Sequence, residues 1–81
     1  MPRLKVLSGA DVLKILAVFS FNVISQKGSH AKLQRVSENG TKQTLTVPLH
    51  EELDKGTLKA IYNQALRYIP ESNLHPHFYS D

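Results

Sequence analysis

The chain contains no cysteine. Disulfides and thiolate metal sites are therefore excluded, and the fold must stand on packing alone. It also lacks a long apolar run. The most hydrophobic stretch, Val12 to Phe21, follows Arg3 and Lys5 in the manner of a signal peptide. Asp11 borders it, Lys14 interrupts it, and no small-residue cleavage site follows. Nothing approaches the roughly 18 uninterrupted apolar residues that span a bilayer. A cytoplasmic protein without a membrane partner is expected. There is no internal repeat and no low-complexity segment. A chain of 81 residues suffices for a single domain with one modest core. Its stability should be marginal unless a partner adds to it.

What the chain does carry is a basic excess. Ten Lys and Arg stand against seven Asp and Glu, a net charge of +3. Such an excess leans toward polyanions, because phosphate contacts release counterions. The 41% hydrophobic and 21% charged residues otherwise fit an ordinary globular composition.

Ser8 is placed to cap a helix, with Asp11 three residues on reaching back toward the freed amides. Val12, Ile15, Leu16 and Phe19 then recur at helical spacing, which predicts a first helix over residues 9–20. Leu13, Ala17 and Val18 lie off that stripe. Either this helix is wedged between a sheet and a neighbouring helix, or it presents an apolar surface to a partner.

Residues 22–26 read as a short strand, Lys27-Gly28-Ser29 as a turn, and His30 to Val36 as a second strand. Glu38-Asn39-Gly40-Thr41 signals a hairpin, since Asn-Gly readily supplies positive φ. A third strand runs from Gln43 to Val47 and stops at Pro48. Alternation puts Ala31 and Leu33, and Leu45 and Val47, on the face toward the helices. His30, Lys32, Gln34, Lys42, Thr44 and Thr46 then fall on an open, polar and basic face. After a polar connection, Thr57 is expected to cap a second helix. Its buried stripe is Leu58, Ile61, Tyr62, Ala65, Leu66 and Ile69, and Pro70 ends it. Residues 70–81 show no strong period and are expected to form a tail or irregular cap. The fold class is α+β, in the order α-β-β-β-α: a three-stranded antiparallel sheet with both helices packed on one face.

His30 is the natural proton-transfer candidate, because an imidazole titrates near neutrality. Gly28 allows close approach of backbone to a ligand, Ser29 offers a hydroxyl and an amide, and Lys27 and Lys32 supply charge on either side. These are the parts of a metal-independent ribonuclease: a base for the ribose 2′-hydroxyl, an acid for the leaving oxygen, and cations for the phosphorane. The same pattern also fits an exposed strand histidine after a turn glycine.

Several other residues carry a sharper and a plainer reading. His50 is either a second acid or base or a loop cap through a backbone hydrogen bond. His75-Pro76-His77 has no neighbouring third ligand and makes a poor metal site. Glu51, Glu52 and Asp54 read as a solvated run favouring the following helix N-terminus. Tyr62 and Tyr68 read as core and rim rather than base-stacking platforms. Arg35, Lys59 and Arg67 either track a phosphate backbone or keep the chain soluble; the first turn of the second helix is a candidate phosphate contact.

The order of segments resembles a known family. Ser8-Gly9 opening an amphipathic helix is followed by Lys27-Gly28-Ser29-His30, then by Val47-Pro48-Leu49-His50. Last comes Leu53-Asp54-Lys55-Gly56-Thr57-Leu58-Lys59-Ala60-Ile61. Over residues 8–69 this is similar to the HicA family of type II toxin–antitoxin systems. The resemblance implies a double-stranded-RNA-binding-like (dsRBD-like) fold and an mRNA interferase, an endonuclease hydrolase of mRNA neutralised by a HicB-type antitoxin. No metal and no small-molecule cofactor are expected, because no carboxylate or cysteine cluster suggests a metal site. The family's catalytic histidine maps onto His30, and Gly28 and Ser29 match the residues that shape its turn. His50 matches a recurrent position with no role to transfer. Three features depart from the pattern: Ser20 stands where the family often has glycine, Ala31 where it often has a larger or polar residue, and residues 71–81 extend its compact end. On the residues alone, a non-cleaving RNA-binding module and a protein-interaction domain remain the alternatives. Lys27, Gly28, Ser29, Lys32, Lys42 and Lys59 are the expected RNA-contacting or phosphate-stabilising residues.

Overall fold

The computed structural model describes all residues 1–81. Its elements are β1 (Arg3–Leu4), α1 (Gly9–Val18), β2 (Asn22–Lys27), β3 (His30–Val36), β4 (Lys42–Pro48), α2 (Lys55–Ala65), α3 (Glu71–Phe78) and β5 (Tyr79–Ser80). The expected α-β-β-β-α order occupies the middle of this series. No helix is long and apolar enough to cross a membrane.

α1 begins with a reciprocal capping box. The Asp11 amide donates to Ser8 Oγ at 2.9 Å, and the Ser8 amide donates to Asp11 Oδ2 at 3.0 Å. The bond from the Ser8 amide favours the ionised carboxyl, so Asp11 is held below the usual carboxylate range, chiefly by that amide and then by the Ser8 side chain. The helix ends in a Schellman motif. The Phe21 amide reaches the Leu16 carbonyl and the Ser20 amide reaches Ala17. That motif needs a left-handed residue, and Ser20 takes it at φ 70°. The departure at Ser20 thus falls where glycine is least strained. The wedged reading of α1 needs correcting: Val12 and Leu16 are buried, but Ala17 and Val18 are exposed.

The main sheet has the order β2-β3-β4, antiparallel throughout. Ala31 pairs with Val47 and Leu33 with Leu45, and all four are buried against the helices. β2 is an edge strand whose residues are all exposed, with its register interrupted between Val23 and Ser25. In the β3–β4 loop the Gly40 amide bonds the Ser37 carbonyl. Only Gly40 takes positive φ, at 85°. The Asn39 side chain instead accepts from the Thr41 amide at 3.1 Å.

The cap of α2 is Asp54, not Thr57. Asp54 Oδ1 accepts from the Thr57 amide at 2.7 Å, which puts Thr57 inside the first turn. A carboxylate three residues ahead reaches that amide, whereas a hydroxyl already inside the helix does not. The expected stripe holds: Leu58, Ile61, Tyr62, Ala65 and Ile69 are buried and Leu66 is half-buried.

The C-terminal stretch is an ordered part of the fold rather than an irregular tail. The Asn73 and Leu74 amides bond the Pro70 carbonyl, so Pro70 opens α3 instead of merely ending α2. Leu74 and Phe78, one turn apart, enter the core. β5 then pairs antiparallel with β1, Arg3 opposite Ser80 and Leu4 opposite Tyr79. Tyr62 joins this packing through the Phe78 and Tyr79 rings and donates to Glu71 Oε2 at 3.2 Å. Burial, reinforced by Glu71, pushes its phenol up to about 12. Fifteen buried hydrophobic residues from α1, the sheet, α2, α3 and the segments joining them form one cluster.

Candidate functional site

Lys27 and His30 face each other across the β2–β3 hairpin, with Gly28 and Ser29 as its two-residue loop. Gly28 takes φ 55° and Ser29 does not share the positive sign. This is the pattern of a II′ turn, whose twist matches the flanking strands and whose first position suits glycine. A Cβ on Gly28 would meet nothing within 4 Å, so backbone conformation rather than crowding selects glycine here. The turn holds His30 at the start of β3, where it also pairs with Pro48 at the end of β4.

Register fixes which side chains share the open face. Lys27, His30 and Pro48 lie in one row, and Ser25, Lys32 and Thr46 in the next. Strand geometry puts Lys32 roughly 7 Å along β3 from His30. Lys27, His30 and Lys32 are all exposed, and no carboxylate falls on this face of the three strands. An imidazole between two ammonium groups, open to solvent, can exchange a proton beside a bound anion.

The same end of the sheet gathers three loops. The Leu49 amide donates to the Ser29 carbonyl at 2.5 Å, tying the Val47-Pro48-Leu49-His50 segment to the turn. The Gly9 amide donates to the His50 carbonyl at 2.9 Å. An added Cβ at Gly9 would lie 2.7 Å from Leu49 Cα, so only glycine lets α1 start this close to the loop. His50 is therefore fixed through its backbone, beside the turn that carries His30. Asp54 is held below its ordinary value first by the Thr57 amide and, more weakly, by the charge of His50. The sequence segments that stand far apart along the chain thus meet here: Ser8-Gly9, Gly28-Ser29-His30 and Pro48-Leu49-His50.

Other candidates lie elsewhere. Lys42 is on the open face but pairs with Val36, six residues along β3 from His30 and therefore about 20 Å away. Lys59 lies on α2, away from that face. Arg35 points to the helix side and is structural. Its guanidinium donates to Gln43 Oε1 at 2.6 Å, the Phe19 carbonyl at 2.9 Å and the Tyr68 carbonyl at 2.6 Å, and it lies 4.8 Å from the Phe21 ring centroid. Arg67 is exposed near the end of α2. Tyr62 is core and Tyr68 half-buried beside Phe21. His75 stacks on Tyr79 at 4.6 Å, while His77 meets Phe19 edge-on at 5.4 Å, so the two histidines serve separate packing contacts.

Sequence reasoning missed one feature. Arg3, Lys5, Lys55 and Lys59 come together along a groove of about 940 Å³ between β1 and α2. No periodicity could reveal it, because it depends on the β1–β5 pairing.

Comparison with known proteins gives one match. The family model described as the HicA toxin of bacterial toxin–antitoxin systems matches residues 9–66. No curated protein and no solved structure matches the chain.

Proposed function

The chain belongs to the HicA toxin family of bacterial toxin–antitoxin systems, and from that premise we propose that it is an endoribonuclease cleaving mRNA in the cytoplasm, with His30 as its catalytic acid and base. Family membership implies an antitoxin partner; in this reading the partner is of the HicB type. The single observation that carries the reaction is His30, exposed on a carboxylate-free face between Lys27 and Lys32.

The imidazole of His30 takes the proton of a ribose 2′-hydroxyl. The resulting oxygen attacks the adjacent phosphorus, the bond to the 5′-oxygen breaks, and that oxygen receives a proton. The products are a 2′,3′-cyclic phosphate and a 5′-hydroxyl. Lys27 and Lys32 offset the charge that grows on the phosphorane, and Ser29 helps position it. His30, now protonated, returns that proton to the leaving oxygen; His50, tied through its carbonyl to the Gly9 amide beside the turn, is the alternative donor. No step in this chemistry calls for a metal ion or a cofactor.

Purified protein should cleave single-stranded RNA in the presence of a chelator and leave the 2′-deoxy analogue intact. His30→Ala should lower the rate by about 10²–10⁴-fold with the melting temperature unchanged. A folded His30→Ala protein that cleaves at the parental rate would sink the catalytic assignment. RNA binding by the parent without products would instead identify a non-cleaving module.

A further inference from the structure

The groove between β1 and α2 has a composition that the fold alone does not require. Its lining includes Arg3, Lys5, Lys55 and Lys59 together with Leu7 and Tyr79, and no carboxylate. Four of the chain's ten Lys and Arg therefore border one concavity. Lys55 and Lys59 stand one helical turn apart on α2, about 6 Å between their Cβ atoms. Arg3 and Lys5 stand two residues apart along an extended segment, at roughly 7 Å. Like charges this close repel weakly through solvent, and an anion entering between them turns that repulsion into attraction. Two acidic side chains adjoin lining residues in sequence: Asp54, which already accepts the Thr57 amide as the α2 cap, and Asp81, which follows Ser80 at the end of β5. Lys5 Nζ donates to the Pro76 carbonyl at 2.9 Å, which fixes its charge in place without neutralising it.

The groove also adjoins, through the backbone, the loop that borders the proposed reaction centre. Leu7, part of its lining, accepts from the Leu53 amide at 2.9 Å, and two residues later Gly9 bonds the His50 carbonyl. One short stretch of backbone thus runs from the groove to the margin of the His30 site. Most of the groove lies outside the region the family model matches: Arg3, Lys5, Leu7 and Tyr79 all fall beyond residues 9–66.

We propose that this groove holds the phosphate backbone of the RNA flanking the cleaved bond, so that the chain's two terminal segments extend the substrate site. The inference rests on the endoribonuclease reading. An extended row of cations suits a polyanionic strand better than a single small anion.

The test uses the full chain and a short 5′-labelled single-stranded RNA carrying 2′-O-methyl groups, which cannot be cleaved by 2′-oxygen attack. Arg3→Ala and Lys59→Ala should each lower the slope of log affinity against log salt by about 0.7. Together they should weaken binding by about tenfold near physiological salt. Lys14→Ala, which removes one charge from the exposed side of α1, should leave both quantities unchanged. With cleavable RNA the double variant should lose through KM, with kcat retained. Parental binding and salt slope in the double variant, alongside continued cleavage, would overturn the groove assignment, leave the groove to a protein partner, and leave the enzymatic reading standing. Absence of RNA binding and cleavage in the parent chain would instead overturn both.

Discussion

His30 and Arg35 lie five residues apart on β3 and stand on opposite faces of the sheet. His30 is on the open face, exposed, in a row with Lys27 and Pro48. Arg35 is on the helix face, half-buried, with its guanidinium bonded to Gln43, Phe19 and Tyr68 and placed over the Phe21 ring. The carbonyls it satisfies belong to the end of α1 and the turn after α2, so one side chain joins the ends of both helices to the sheet. A basic residue on this strand therefore serves the fold or faces solvent according to its parity. The sign of its charge says nothing about which.

The contrast gives its largest expected effect at Arg35. Arg35→Ala should cost about 2–4 kcal/mol of stability, because it removes three charge-assisted hydrogen bonds and strands two carbonyls at helix ends. Arg35→Lys should recover only part of this, since an ammonium cannot reproduce the fork. Urea unfolding midpoints measure it, and His30→Ala provides the counterpart, with stability unchanged and cleavage lost. Equal midpoints for Arg35→Ala and the parent would erase the distinction between the two positions.

A smaller effect sits at the end of α1, next to the carbonyl that Arg35 holds. Ser20→Gly should stabilise the chain by about 0.5–1 kcal/mol, because it relieves a side chain at φ 70°. For a domain of this size that raises Tm by a few degrees, readable in a thermal melt, with cleavage unaffected.

The smallest effect concerns pH. Asp11 and Asp54 are both held below their ordinary value of 3.8, chiefly by backbone amides of Ser8 and Thr57. A carboxyl whose folded value is depressed contributes stability above its unfolded value and loses it as pH falls through the folded one. Stability should therefore decline gently below about pH 4. Asp54→Asn keeps a capping oxygen without the titration and should flatten part of that decline in acid melts.

The main elements were legible because each is a local pattern repeated long enough to read. α1 announces itself by Ser8, Asp11 and its apolar stripe, and β3 and β4 by strict alternation. The same alternation assigned His30 and Lys32 to the open face. α3 was not legible. Its only apolar signal is Leu74 and Phe78, a single helical turn, with Pro76 between them arguing against a helix. Near the C-terminal end of a short helix a missing amide removes just one bond, and the burial of both side chains outweighs it. The α2 cap was misread for a related reason: Asp54 and Thr57 are both good caps, and only the path of the preceding loop chooses between them.

The sequence by itself determined the α+β order, the core faces of the strands and the Gly28-Ser29-His30 turn, because near-neighbour sterics and two- or 3.6-residue periods act along the chain. Tertiary structure alone decided that Lys42 stands about 20 Å from His30 and that Arg35 turns inward to bind helix ends. It alone brought Arg3 and Lys5 beside Lys55 and Lys59. Those distances depend on strand register and on the pairing of β1 with β5, contacts between residues far apart in the chain, whose spacing carries no trace of them.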